Sequence, residues 1–469
     1  MSLVLPSGLT AAQAAIWLDQ HLFAGKPIYN TGQFLTIRGK LRLDLFETAL
    51  RQAVAENPGL QLAPRSGPVP FDLVLFDFRE ERDPLAAADQ WMRSEMGKAI
   101  PLEDPALFRF AIIRIGDDHT LWFQKFHHII MDATSRRLLS ERTAHRYRAL
   151  RFNEPLPALD ATTPEELLDA ERRYTASKGY EADRGYWLEQ LGHWPGPLLE
   201  TNREKTERAR SGRHARNVFK LKRSDFARLE AAARRLGSST FRAIIALSYA
   251  AFARVYDRYD ILLGLELANR SDARTKQAVG FIARPLPMLL NLDPSTTIAD
   301  AVREIDEIRA RSYPHRHFPV EEIARELGIT RKGHHGLFDV IINYVPVAYD
   351  FAFEDVPVEV TNLSSGFVVP WTITIADTGA ARDLNVTIDS DPGLITADLA
   401  GQLASCVETL LQQGLDDPDC PLGLLPSCKK RHAHKLQIFR LVRPLHYREE
   451  PRLLRSALLR PNERLMPSP

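Results

Sequence analysis

The sequence predicts an α+β fold built as two lobes. Strand-like alternation and helix-period apolar stripes are mixed in both halves, without the strict strand–helix alternation of a parallel doubly wound sheet. A stretch with two prolines and no apolar period, NEPLPALDATT at 153–163, reads as a connecting segment. The 469 residues, 44% of them hydrophobic, suffice for more than one core.

The elements follow in order. Ala11–Phe23 carries Ile16, Trp17 and Leu22 at helical spacing, with Thr10 placed as its cap. Gln33–Gly39 reads as a strand. Arg42–Glu56 is a helix with Phe46, Ala49, Leu50, Ala53 and Val54 on one stripe, stopped by Asn57-Pro58-Gly59. A short strand at Asp72–Asp77 and a helix at Pro84–Met96 precede two β-rich runs, Leu107–Ile115 and Thr120–His128. Gly116-Asp117-Asp118 joins those runs as a hairpin. Helices are predicted over 134–151, 164–177 and 181–192. In the second half, strands are expected near 217–221, 261–267, 286–292, 340–344, 371–376 and 384–389. Helices are expected over 224–236, 240–256, 298–311, 320–327 and 396–413.

The net charge of +1 conceals an asymmetry. Residues 428–469 hold 11 Lys+Arg against 3 Asp+Glu, a charge of +8, so the preceding body carries −7. The tail's five prolines oppose a long helix, and it is expected to be disordered, with an altered reading frame or a functional binding arm as the alternatives. A wholly basic nucleic-acid binder and an acidic disordered chain are both excluded by the balance. The opening MSLVLPSGLTAAQ lacks the pattern of a secretory signal, and no apolar run reaches membrane-span length. Cys406, Cys420 and Cys428 have no metal-ligand spacing, which suggests a reduced, cytoplasmic protein.

The chemistry concentrates in Trp122–Ser135, WFQKFHHIIMDATS. On a strand, Trp122, Gln124, Phe126 and His128 lie on one side and Phe123, Lys125 and His127 on the other. Adjacent histidines do not converge on one metal, so zinc is a poor reading. One histidine at the strand end facing a cavity, with the other anchoring the structure, fits better. Asp132 stands in a turn before a helix, placed to cap it or to hold an ion pair. A surface His-His pair in a turn is the plain alternative.

HHIIMDA at His127–Ala133 resembles the HHxxxDG core of condensation domains of non-ribosomal peptide synthetases, within the wider chloramphenicol-acetyltransferase-like superfamily. Further segments resemble that family in its own order: LTAAQAAIWLDQ at 9–20, DRGYWLEQL at 183–191, GLELANR at 264–270, VGF at 279–281 running on to LPM at 286–288, HRHFPVE at 315–321 and LFDV at 337–340. Together they span about residues 5–427.

The resemblance implies two acetyltransferase-like lobes forming a V, with a tunnel between them. The N-terminal lobe is expected at 1–175 and the C-terminal lobe at 176–427. It implies an acyltransferase that forms an amide between an acyl or peptidyl thioester on an upstream carrier protein and the amine of an aminoacyl thioester on a downstream one. Substrates arrive on phosphopantetheine arms, and the domain itself is expected to bind no cofactor and no metal. Its partners are carrier proteins and other synthetase modules, not nucleic acid or membrane. His128 is the implied catalytic residue, as base or as positioner of the amine. His127 and Asp132 are implied to be structural.

This chain departs from the family pattern at three places. Arg284 stands where Asn is usual, and Leu289 where an Arg would fall. Asp132 therefore needs another arginine, Arg284 or Arg270, and Arg284 is the preferred expectation. Ala133 replaces Gly, harmless only if its φ is negative. Asn57-Pro58-Gly59-Leu60 replaces an arginine-bearing His-Glu motif. Two further readings stay open: a freestanding acyltransferase with a soluble amine or alcohol acceptor, and a degenerate domain that only docks carriers. Trp17 and Trp371 are expected in cores, Tyr186-Trp187 between the lobes, and His315 as a hydrogen-bonded structural residue.

Overall fold

A computed structural model describes residues 6, 8–62, 69–194, 196–199, 214–329, 336–364, 369–379 and 382–425, with the backbone of 437–438. Apart from those two residues, which pair with Ala215 and Arg216, the predicted tail lies outside the described residues.

The first half begins with α1 (Ala11–Leu22), whose N-terminus carries a reciprocal capping box between Thr10 and Gln13. It continues through β1 (Asn30–Arg38), α2 (Leu43–Ala55), β2 (Leu73–Asp77), α3 (Pro84–Met96), β3 (Phe108–Arg114), β4 (His119–His127) and α4 (Ala133–Phe152). The expected hairpin joins β3 to β4, which pair antiparallel. Every β4 residue after His119 is buried, because both faces of the sheet are covered. Trp122 and Phe126 enter the core shared with α2 and α4, where Trp122 meets Phe46 edge-on at 5.1 Å. Phe123 packs on the opposite side with Met92 and Met96 of α3. The alternation read from the sequence thus divides the two cores.

Two connecting helices follow, α5 (Pro164–Thr175) and α6 (Lys178–Leu191). The second half supplies a mixed sheet of β5 (Ala215–Leu221), β6 (Asp260–Leu267), β7 (Arg284–Asn291), β8 (Val340–Pro346), β10 (Trp371–Asp377) and β11 (Leu384–Ser390), in the order β5-β11-β10-β8-β6-β7. One face packs on the helices Thr240–Tyr256, Ile298–Ser312 and Ala397–Gln413. The first of these buries 11 of its 17 residues, as a helix at the centre of a lobe must.

The sequence pattern missed an exchange of chain between the halves. After β8, Tyr349, Phe351, Phe353 and Val358 pack into the first core, and β9 (Glu359–Asn362) pairs with β1 as the edge of the first sheet. That sheet is therefore ordered β2-β3-β4-β1-β9, and β1 has neighbours on both sides.

Three smaller expectations need comment. Trp17 and Trp371 are core residues, as expected. Tyr186 and Trp187 pack within the second half instead of between the lobes: the Trp187 indole donates to the His315 carbonyl and Tyr186 stacks on the His315 ring. Cys420 is a free thiol, and Cys428 lies outside the described residues.

At Gly59 the halves lie in close contact. A Cβ there would come within 1.8 Å of the Val279 carbonyl oxygen. Gly59→Ala should therefore destabilise the fold by about 1–3 kcal/mol through overpacking. Gly185 lies inside α6, where an added methyl group would have nothing within 4 Å, so Gly185→Ala should stabilise by about 0.5–1 kcal/mol. Urea denaturation of the two variants checks both signs.

Candidate active site

The strand β4 ends at His127, one residue earlier than the sequence pattern suggested, and His128–Ile130 form a single 3₁₀ turn. The histidines leave the sheet in different directions as a result. His127 Nδ1 accepts from the Ile129 N–H at 3.2 Å, so its proton sits on Nε2, which donates to Gln20 Oε1. Gln20 is itself oriented by donating to the Phe23 and Lys26 carbonyls. Burial pushes the His127 pKa down to about 3, with the neighbouring His128 adding to the effect. His127 is a neutral anchor at any working pH.

His128 is arranged the other way. Its Nδ1 lies 2.7 Å from the Met131 carbonyl oxygen, which can only accept, so Nδ1 carries the proton. Nε2 then holds the lone pair and makes no hydrogen bond to any described residue. Burial lowers the His128 pKa, aided by Arg136 and opposed by the Met131 carbonyl and Asp132. The ring meets Phe281 edge-on at 5.0 Å, a residue delivered by the second half of the chain. Gln13 steadies the same turn by donating to the Ile129 carbonyl at 3.0 Å.

Asp132 caps α4, its Oδ1 accepting from the Ser135 N–H at 2.9 Å. Arg270 grips the same carboxylate with both terminal nitrogens, at 2.9 and 3.0 Å, and the N–H groups of Ile282 and Ala283 each donate at 3.1 Å. Burial alone would raise the Asp132 pKa, but Arg270 and the backbone donors hold it below the usual carboxylate range. Ser135 completes the join by donating to the Gly280 carbonyl while accepting from the Gly280 N–H and from Arg270.

The preferred arginine was therefore wrong. Arg284 opens β7 and pairs with Glu171 of α5, also donating to the His317 carbonyl. The region was right, but it reaches Asp132 through the N–H groups of the two residues before Arg284. Glu171 in turn accepts from the Ala11 N–H at 2.6 Å, so Arg284 supports the site through α1 and α5. Ala133 begins α4 with helical backbone and is not among the residues of positive φ, so its methyl group brings no backbone strain. Asn57, in the altered 57–60 segment, accepts from Arg142, which also reaches the Gln277 carbonyl. His315 is held by Asp183 at 2.7 Å, a structural role. Among the described residues no cluster of three or more His, Cys, Asp or Glu suits a metal ion.

Sequence reasoning missed Arg136. Its guanidinium bonds the Gly32 carbonyl at 2.9 Å and the Ser364 hydroxyl at 2.8 Å, with a longer contact to the Asn362 side chain. It has no carboxylate partner among the described residues, and it lies near enough to His128 to lower that pKa. Nothing in a helical Ser-Arg-Arg run distinguishes it from the other arginines of that helix.

The family described as "Condensation domain" matches residues 7–400. The chain belongs to that family. It is 29% identical over 450 residues to a dimodular nonribosomal peptide synthase of Bacillus subtilis (strain 168), an alignment covering 92% of this chain and 18% of that protein. The chain thus spans under a fifth of that relative's length. Among solved structures, the first condensation domain of the calcium-dependent antibiotic synthetase, in complex with a substrate analogue, is 26% identical with a TM-score of 0.77; the match covers 89% of this chain and 98% of that one. The starter condensation domain of the rhizomide synthetase, as a histidine-and-arginine double mutant, is 25% identical with a TM-score of 0.74 over 89% of this chain and 98% of that one. The two-lobed α+β fold is the condensation-domain fold.

In this condensation domain the buried Asp132–Arg270 pair makes a specific demand. Arg270→Met leaves a carboxylate that is 3% exposed without its cation, and should cost about 3–5 kcal/mol in urea unfolding. The double variant Asp132→Asn with Arg270→Met should lose less than the single change, because no uncompensated charge remains.

Proposed function

We propose that the chain joins an acyl thioester on an upstream carrier to the amine of an aminoacyl thioester on a downstream carrier, each on a phosphopantetheine arm. The observation that carries this reading is His128: its proton is fixed on Nδ1, its Nε2 makes no hydrogen bond to a described residue, and its ring meets Phe281, where the halves of the molecule meet. A thioester needs no covalent enzyme nucleophile. The ammonium first gives up a proton, the neutral nitrogen attacks the carbonyl carbon, and the C–S bond breaks. The nitrogen then loses a second proton, and the departing thiolate gains one. Nε2 is suited to accept the first of these protons, or to hold the amine in line by hydrogen bonding. His127, Asp132 and Arg270 act as positioning residues, with Ala133 and Arg284 supporting the surrounding structure.

Arg136 belongs in the same reading. The rhizomide starter domain has been solved with a histidine and an arginine eight positions later both changed, and a form changed at the arginine alone holds C8-CoA. His128 and Arg136 stand at the same spacing here. We assign Arg136 to the donor side of the reacting centre. The N-terminal lobe is taken as 1–175 and the C-terminal lobe as 176–427, with 428–469 as an appendage, and the reaction as cytoplasmic. Among the described residues no single helix is long and apolar enough to cross a membrane.

Single-turnover assays with both carriers loaded test the assignment. His128→Ala should slow amide formation by about 10²–10⁴-fold, with product on the downstream carrier. Product formed equally fast on a free soluble amine would favour an ordinary acyltransferase. Because burial lowers the His128 pKa from 6.5, the acid limb of the single-turnover rate belonging to His128 should fall below pH 6.5. The stability sign agrees. Below pH 6.5 the unfolded histidine binds a proton that the folded one refuses, so native stability declines as pH falls through that window. A limb above pH 6.5 that persists in His128→Ala would belong to the acceptor amine.

A further inference from the structure

Glu266 is a carboxylate that the chemistry above does not use. It lies on β6, four residues before Arg270. Alternate residues Leu263 and Leu265 enter the second core, as do Val340 and Ile342 of β8 and Ile373 and Ile375 of β10. Glu266 therefore projects from the opposite face of the sheet. The β6–β8 register pairs Leu263 with Val340, Gly264 with Ile341 and Leu265 with Ile342; continued by one residue it sets Glu266 beside Asn343, and Asn343 in turn pairs with Thr374. All three side chains are partly exposed. None makes a hydrogen bond or ion pair to a described residue.

The electrostatics of this row are uncompensated. Glu266 sits close enough to Asp132, across the junction of the two halves, to be repelled by it, and burial with that repulsion pushes its carboxyl up to about 8. The nearby cations are committed elsewhere, Arg270 to Asp132 and Arg284 to Glu171. A half-buried carboxylate without a cation is costly to keep ionised, and one near enough to feel Asp132, on the strand that leads to Arg270, is open to a cation brought by a substrate. The Asn343 amide and the Thr374 hydroxyl can accept further N–H groups.

We propose that Glu266, with Asn343 and Thr374 beside it, forms a subsite for a substrate side chain bearing an amine or guanidine. This rests on the reading that carrier-bound substrates enter between the lobes. The cation comes from the aminoacyl acceptor or from the acyl donor, and the test has an arm for each.

The full chain is titrated calorimetrically with pantetheine amides, which cannot react. Ornithyl against norleucyl pantetheine amide probes the acceptor, and 4-aminobutanoyl against pentanoyl pantetheine amide probes the donor. In one arm the cationic member should bind about tenfold tighter than its neutral isostere, the worth of one charged hydrogen bond. Glu266→Gln should bring that ratio within about twofold. No preference in either arm, or a preference that survives E266Q, overturns the proposal. If E266Q does not fold, Asn343→Asp is read instead: a stronger preference supports the subsite and an unchanged one refutes it. Amide formation with carrier-bound neutral substrates is measured in parallel. Its absence would count against the catalytic reading, while the binding ratios still decide the role of Glu266.

Discussion

The buried ion pair between Asp132 and Arg270 is the constraint on which the site depends. Both side chains are almost wholly removed from water, at 3% and 2% exposure. Neither charge is tolerable there alone, so each half of the chain supplies what the other lacks. The carboxylate also accepts the N–H groups of Ser135, Ile282 and Ala283, and so sets the start of α4 against the loop that leads into β7. Ser135 and Gly280 repeat the join a turn away, and Gly59 lets the 57–60 turn approach the same loop without a side chain between them.

The placement of His128 follows from that join. The turn between β4 and α4 is only five residues long, and it is fixed at one end by the β1–β4 ladder and at the other by the cap of Asp132. Within it, His127 is held by Gln20 and the Ile129 N–H, and His128 by the Met131 carbonyl. Two adjacent residues of one kind thus take opposite tautomers and unlike duties, because different backbone groups meet their Nδ1 atoms. The loop that satisfies Asp132 also delivers Phe281 to the His128 ring, which couples the setting of the lobes to the environment of the reacting nitrogen.

Much of this was legible in the sequence, for identifiable reasons. Periodicity located the strands and helices because Trp122, Phe126, Phe46 and their neighbours lie on faces that must be buried. The histidines and Asp132 were conspicuous because polar residues at a strand end and a helix start have few roles. The arginine partner was not legible. Arg270 and Arg284 flank the same loop, and which guanidinium reaches Asp132 depends on the path of the backbone between them. The strand Glu359–Asn362 was missed for a related reason: four residues, mostly polar and exposed, show no pattern until β1 offers an edge. Ala133 could not be judged from its identity alone. Its effect turned on the sign of φ, which the helix start at that residue decides.

The central claim is that His128 presents an unprotonated Nε2 to the space between the lobes. Nitrogen-15 NMR of ring-labelled histidine, with the His128 resonances identified by their loss in His128→Gln, tests it without substrates. At pH 7 the account predicts a neutral ring with Nδ1 protonated and Nε2 bare, titrating below 6.5. A ring protonated on Nε2, or one still charged at pH 7, would contradict it.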